Sequence, residues 1–521
     1  MTRHPDPAPD PTTAHGAGPV ATTARSAGPV VTTAQGAVRG LRRGATLAFL
    51  NIPYAAPPRG AGRFAPPRPH EPWQGIRDAT VPGPTAPQAE RRLGDLDMSP
   101  YFGAGWSPGE DHLTVNVFAP ATGGDGLPVM VFVHGGGFVA GSTRAGLYDG
   151  SAFARDGVVL VTLNYRLGIA GFLDLPGAPA NRGLLDVVAA LRWVRENVPA
   201  FGGDPHNVTL FGQSAGATTV GGVLATPEAA GLFRRAILQS GSGLGAFTGE
   251  QAARVTRAAA EALGIEPHVD AFAAVPDAQL VETASRLAGI DLRTATHHDP
   301  LLGLSPFSLV LDTQPAEAVA AGLAADVDLL VGTNSEEGNL YLVPVGTYAG
   351  SSAADVDATA ERSHPDPARL VETYRASRPG ASFAQLRSAL MTDALFGAGS
   401  RALARAHAAH PESATYAYEF AWRSPALDGE LGAAHAVELP FVFGLADQPD
   451  LNGPRALLGP GKPSADLADL ADRVHATWIR FARTGDPGWE PYDTGRRATM
   501  RIDTEWTQVD DPRAREREVW D

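Results

Sequence analysis

The chain has 521 residues, 44% hydrophobic and 19% charged, enough to bury a large core in one big α/β domain or two or three smaller ones. Its 57 acidic and 42 basic residues give a net charge of −15 at pH 7, and with no strongly basic stretch this argues against nucleic acid or an anionic membrane as partner. Cysteine is absent, which excludes disulfides, thiolate metal sites and cysteine nucleophiles.

In chain order, residues 1–30 form a leader rich in Pro, Ala, Thr and Gly that is predicted to be disordered. It contains a repeat, TTAHGAGPV (12–20) and TTARSAGPV (22–30), whose third copy, TTAQGAVRG (32–40), leads into apolar sequence. The opening MTRHPDPAPDP has no apolar h-region, and no later segment approaches the ~18 continuous apolar residues of a membrane span, so a cytoplasmic protein is expected. ATLAFLNIPYA resembles early antiparallel strands, and HLTVNVFAP alternates as a strand does. LPVMVFVHGGGF and VVLVTLNYRLG are continuous apolar runs, GLLDVVAALRWVREN has helical spacing, and NVTLFGQSAG is a short buried strand ending in a turn. RRAILQSGSG and VDLLVGTNSEEG repeat the strand-then-loop form. Apolar runs separated by helices indicate a mostly parallel sheet covered on both faces. Helix-rich, Ala-rich stretches at about 245–325 and 350–412 read as insertions after strands, where pocket walls are commonly built.

GQSAG at 212–216 fits G-x-S-x-G, in which small residues flank a serine in a strained strand-to-helix turn. The bland alternative is a glycine-rich turn that happens to contain Ser214. HGGGF at 134–138 lets backbone approach without side-chain obstruction, so Gly136 and Gly137, with Ala215 after the serine, can offer N–H donors to an oxyanion. The loop lacks the lysine of a P-loop and the G-x-G-x-x-G spacing. A serine needs a base, and His364, His407, His410, His435 and His475 are candidates. His407 and His410 lie on an Ala-rich helix and read as solvated, whereas His435 sits in a small-residue loop between a strand and an aromatic run. For the acid, the adjacent Glu336 and Glu337 in TNSEEGN (333–339) remain open on composition alone.

With these residues in hand, the chain resembles the type-B carboxylesterase family of the α/β-hydrolase fold, the group that includes bacterial p-nitrobenzyl esterases and the cholinesterases. The resemblance runs from about residue 31 to about 503 and is carried by IPYAAPPRGAGRFAPP (52–67), GEDHLTVNVFAP (109–120), VMVFVHGGGFVAGS (129–142), LNYRLGIAGFL (163–173), the segment from NRGLLDVV to GQSAGA (181–217), LFRRAILQSGS (232–242), HAVELPFVFG (435–444) and WIRFARTGDPGWEPY (478–492). It implies one α/β-hydrolase domain over 31–521, with the insertions as pocket walls. It further implies a Ser214–Glu337–His435 triad, an oxyanion hole of Gly136, Gly137 and Ala215, and Ser240 supporting the acid. Arg63 with Glu110, and Arg166 with Asp186, match structural charge pairs. Three departures stand out. Ala86 and His112 occupy positions where the family usually carries a cysteine pair, leaving that loop to packing alone. Gln213 replaces the more frequent glutamate before the nucleophile, and Glu336 stands where aspartate is usual.

The expected activity is cleavage of a small-molecule carboxylic ester through an acyl-enzyme, with no metal or organic cofactor. An amidase, a carbamate hydrolase or a lipase would use the same machinery. A non-catalytic binding protein of this fold would lack a triad residue, and all three are present. Phe307, Tyr341 and Phe396 either line the pocket or fill core. Nothing in the sequence sets an oligomeric state.

Overall fold

The computed structural model describes residues 28–461 and 464–521. Most of the predicted leader, with the first repeat and residues 22–27 of the second, lies outside the described residues. Strand Val30–Thr33 begins where the sequence places the leader's end. It pairs antiparallel with Gly36–Arg39, and Ile76–Asp78 completes a three-stranded sheet.

The main sheet has 11 strands. From one edge they run Thr507–Asp510, Ala498–Ile502, Thr415–Phe420, Asp328–Asn334, Arg235–Gln239, Gly203–Gln213, Leu127–Val133, Val159–Leu163, Thr114–Pro120, Thr46–Pro53 and Leu41–Arg43. Neighbours from Ala498–Ile502 to Val159–Leu163 are parallel, and antiparallel partners close both edges.

The central strands carry apolar residues on both faces because both faces are covered. Val129, Val131 and Val133 point into one cluster with Val161, Leu210 and Leu238, under helices Arg182–Asn197 and Ala215–Leu224. Met130 and Phe132 point the other way, toward Phe211, Ile237, Leu330 and Trp478 of helix Ala465–Thr484. The period of two along each strand thus feeds two cores.

One topological feature positions the site. Strand Leu127–Val133 lies between Val159–Leu163 and Gly203–Gln213, and the chain leaves Gly203–Gln213 toward Arg235–Gln239 on the far side. Loops leaving the carboxyl ends of two adjacent strands therefore diverge, which opens a crevice there. The inserted segments are helical as expected: Gly249–Leu263, Val269–Ala273, Asp277–Arg286 and Pro315–Ala320, then Ala353–Ser363, Pro367–Ser377, Phe383–Thr392 and Ala398–His407. Side-chain caps start several of them, Thr248 with Gln251 and Ser382 with Gln385 forming capping boxes. Among the described residues no helix is long and apolar enough to cross a membrane.

Arg166 and Asp186 form the buried pair that the sequence suggests. The guanidinium donates to both carboxylate oxygens at 2.8 and 2.7 Å, and its remaining N–H groups reach the carbonyls of Arg63 and Ala65. The other expected pair does not form. Arg63 turns inward to the Val275 carbonyl at 2.6 Å and to Asp277 at 3.5 Å, while exposed Glu110 pairs with Arg59. The two arginines flank the turn Gly60–Gly62, and Arg59 is the one left on the solvent side.

Asp186→Ala would strand the Arg166 charge in the core. Urea unfolding of that variant is expected to show a loss of about 3–5 kcal/mol, against under about 1 kcal/mol for Glu110→Ala, whose partner is exposed.

Candidate active site

Ser214 joins strand Gly203–Gln213 to helix Ala215–Leu224 with φ 59° and ψ −127°, a backbone state that a non-glycine residue adopts only under constraint. The constraint is visible. A Cβ on Gly216 would collide with the Val133 carbonyl oxygen and lie 2.6 Å from that of His134, so the helix start packs directly on the neighbouring strand's end. Ser214 N–H donates to the Gln239 carbonyl at 2.9 Å, tying the elbow to the next strand as well. The serine side chain faces the crevice.

Across it lies the loop His134–Phe138. Gly136 (φ 116°) and Gly137 (φ 63°) occupy conformations open to glycine, and a Cβ on Gly136 would overlap the Ala140 carbonyl. Among the described residues, the backbone N–H groups of Gly136, Gly137 and Ala215 donate to no protein acceptor. The loop is braced from behind. Ser305 Oγ donates to the Gly137 carbonyl at 2.6 Å, and the Gln88 amide exchanges two hydrogen bonds with backbone Gly141, at 2.8 and 3.0 Å. The Gln88 brace corrects the expectation that its segment rests on packing alone. Ala86 and His112 are both buried, but hydrogen bonds from Gln88, Arg144 and Asn164 also hold it.

Glu337, fully buried, accepts from His435 Nδ1 at 2.6 Å through Oε2, while Oε1 accepts from Ser240 Oγ and from the Asn334 N–H, each at 2.6 Å. Three donors thus hold this carboxylate. Ser240 reaches it from a left-handed backbone position (φ 53°) directly after strand Arg235–Gln239. With Nδ1 donating, His435 Nε2 is left as an acceptor. Its partner is the Gln213 Nε2 amide, at 3.2 Å, and no hydrogen bond links it to Ser214, which lines the same cavity. Phe396, on the π-helical turn Asp393–Gly397, stacks on the imidazole with centroids 4.5 Å apart and planes 8° from parallel. Tyr341 lies at 5.7 Å from it. Both line the cavity, whereas Phe307 is core.

Glu336 points elsewhere. It pairs with Arg423 and accepts from the Ala433 N–H at 2.9 Å, fastening the acid turn to the loop that carries His435. The other histidines are engaged too. His407 is buried against Thr415 Oγ1 at 2.7 Å, so it is not the solvated residue that the Ala-rich helix suggests, while half-buried His410 bonds the Val319 carbonyl at 3.0 Å. The end of helix Ala398–His407 turns its polar side onto the start of strand Thr415–Phe420. His475 Nδ1 donates to the Val442 carbonyl at 2.7 Å, and His364 bonds the Val519 carbonyl. Among the described residues no three His, Asp or Glu side chains gather as a metal-binding group.

A second buried acid sits behind the first. Glu438, three residues after His435, accepts from Asn334 Nδ2 at 2.7 Å and Gln239 Nε2 at 3.2 Å. Burial, and then the Glu337 charge, push its pKa up to about 7. Its position in a recurring motif was visible, but nothing in the sequence pairs it with Glu337. A carboxyl with a raised folded-state pKa favours the fold when protonated, so stability falls as pH rises from the unfolded value through about 7. Between pH 5 and pH 8 the stability of Glu438→Gln relative to wild type should therefore shift in the variant's favour by roughly 2 kcal/mol, read from urea unfolding at both pH values. A pH-independent difference would contradict the assignment.

Residues 27–520 match the carboxylesterase family. The chain is 37% identical to the para-nitrobenzyl esterase of Bacillus subtilis (strain 168) over 494 residues, covering 93% of this chain and 96% of that protein. It is 34% identical to the phenmedipham hydrolase of Pseudarthrobacter oxydans, covering 84% of this chain and 86% of that one. It is also 34% identical to the fumonisin B1 esterase of Sphingopyxis macrogoltabida, over 90% and 84%. A solved PNB esterase superposes with TM-score 0.81 at 37% identity, covering 94% and 99%. A Geobacillus stearothermophilus carboxylesterase does so with TM-score 0.82 at 35% identity, covering 94% and 100%. With the α/β-hydrolase architecture matched over nearly its whole length, this chain belongs to the carboxylesterase family and is a carboxylic-ester hydrolase.

Proposed function

We propose that Ser214, Glu337 and His435 form a catalytic triad that cleaves carboxylic esters through an acyl-enzyme. The observation that supports this reading most is the 2.6 Å bond between Glu337 and His435 Nδ1, which leaves Nε2 basic toward the cavity that Ser214 lines. Gln213 occupies Nε2 at rest. On substrate binding, His435 exchanges that partner for Ser214 Oγ, the kind of tightening that catalytic hydrogen bonds undergo in the Michaelis complex.

His435 then takes the serine proton as Oγ attacks the ester carbonyl. The charge on the former carbonyl oxygen is met by the free N–H groups of Gly136, Gly137 and Ala215, each donor contributing about 2.7–4 kcal/mol to transition-state stabilisation. His435 passes its proton to the leaving alcohol, and the acyl group stays on Ser214. Water, deprotonated by the same imidazole, attacks the acyl-enzyme and restores the serine. Glu337 holds the tautomer and stabilises the imidazolium without taking the proton. Phe396 stacked on the ring limits its rotation.

Ser214→Ala is expected to lower turnover of a short-chain p-nitrophenyl ester by about 10⁴-fold or more with unfolding unchanged, and to abolish labelling by a fluorophosphonate probe. Full activity in that variant would refute the triad. Glu337→Gln should cost about 10³–10⁴-fold in kcat, and Glu336→Gln less than about tenfold, because the first removes the imidazole's partner and the second a surface-side ion pair. The reverse order would reassign the acid. Rates on matched ester, anilide and carbamate substrates separate ester selectivity from broader acyl transfer.

A further inference from the structure

We propose that Arg91 is a substrate-recognition residue that selects esters carrying a carboxylate on their acyl or alcohol part. The inference rests on the esterase reading of the same pocket.

Arg91 lines the cavity of Ser214 and His435, and it also lines a larger adjoining cavity. A methyl group built on Gly137 would lie 3.8 Å from its Nη2 and 3.9 Å from its Nη1, so the guanidinium sits against the oxyanion loop. Among the described residues lining the Ser214 cavity there is no aspartate or glutamate, and Gln213 at its base is neutral. Arg91 is the cavity's one permanently charged side chain, and it forms no hydrogen bond and no ion pair with any described residue.

Two buried arginines behave differently. Arg166 holds a carboxylate and two carbonyls, and Arg182 donates to the carbonyls of Ala170, Pro179, Ile169 and Leu173. The acids of the adjoining cavity are already matched, Glu90 with Arg92 at 3.1 Å and Asp277 with Arg63 at 3.5 Å. Loss of water around Arg91 lowers its pKa, opposed only by the nearby Tyr341 phenol. Arg91 is half-buried and has no counter-ion among the described residues, so its fork of N–H donors is open to a ligand carboxylate, which would take two of them in parallel. A lysine, a point charge on a flexible stem, would match that fork less well.

The placement also dictates geometry. The segment bearing Arg91 is fastened by Gln88 to Gly141, on the same loop that would bind the oxyanion, so charge and reacting carbonyl keep a fixed separation. Beyond the guanidinium, Leu167, Ile169, Leu280 and Val281 make an apolar wall for the rest of an extended substrate. The net charge of −15 repels anions in bulk, but salt screens it beyond about 8–10 Å, leaving the local cation to act inside the cavity.

Two substrate pairs test the idea: monoethyl adipate against ethyl hexanoate, and 4-carboxyphenyl butyrate against phenyl butyrate. For each, kcat/KM is measured by pH-stat for wild type, Arg91→Met and Arg91→Lys. The anionic-to-neutral ratio is expected to fall by about tenfold or more in Arg91→Met for at least one pair, mainly through KM, with Arg91→Lys between the two. The pair that responds identifies the side of the ester that the carboxylate occupies. In wild type that ratio should also fall with added salt, a reading that needs no variant, and Arg91→Gln replaces Arg91→Met if the latter does not fold. A ratio constant within twofold for both pairs would overturn the proposal, including the case in which Arg91→Met slows neutral and anionic esters alike and Arg91 merely supports the oxyanion. Failure of the triad reading is separate, since it would show as ester turnover surviving in Ser214→Ala.

Discussion

The site depends on one steric constraint, the direct contact of backbone with backbone where the elbow meets the end of the neighbouring strand. Gly216 lies on the carbonyls of Val133 and His134 so closely that no side chain fits between. That contact accompanies the positive φ of Ser214, and Ala215 lines the same cavity as Gly136 and Gly137. It exists because Leu127–Val133 and Gly203–Gln213 are adjacent and parallel, with Val133 opposite Gly212 in register. Two fully apolar strand faces hold that register, since a slip by one residue would exchange the two cores.

Charge is handled in three ways around this frame. Arg166 and Asp186 are buried and fully matched, so their loss is structural. Glu337 is buried with three donors, which orient it on His435. Glu438 shares Asn334 and the adjoining strand end with it but has fewer donors, and burial together with the neighbouring Glu337 charge raises its pKa. Arg91 is the remaining case, a cation lining the cavity with no hydrogen-bond or ion-pair partner among the described residues. Gln213 in place of a carboxylate keeps the floor of that cavity neutral while contacting the imidazole.

Much of the fold was legible because fully covered parallel strands read as apolar runs. The elbow and the glycine loop were legible because close approach excludes side chains and leaves glycine as the trace. Partners of polar groups were less legible. Arg63 and Glu110 suggest a pair, yet Arg59 is nearer in space because a tight turn separates the two arginines. The Ala-rich surroundings of His407 suggest solvent, yet the end of its helix packs on a strand. Glu336 and Glu337 are neighbours in sequence, and only their backbone directions send one to Arg423 and the other to His435.

What the sequence by itself determined is therefore the chemistry that local sterics and periodicity record: which strands are buried twice, where backbone must approach backbone, and which serine stands in such a turn. The tertiary structure alone decided which side chains meet across strands and insertions, as in Phe396 on His435, Gln213 on its Nε2, Glu438 behind Glu337 and Arg91 against Gly137. The physical reason is range. Propensity and the steric need for glycine are recorded residue by residue in the sequence, whereas these contacts join segments far apart in the chain, and only folding brings them within hydrogen-bonding or van der Waals distance.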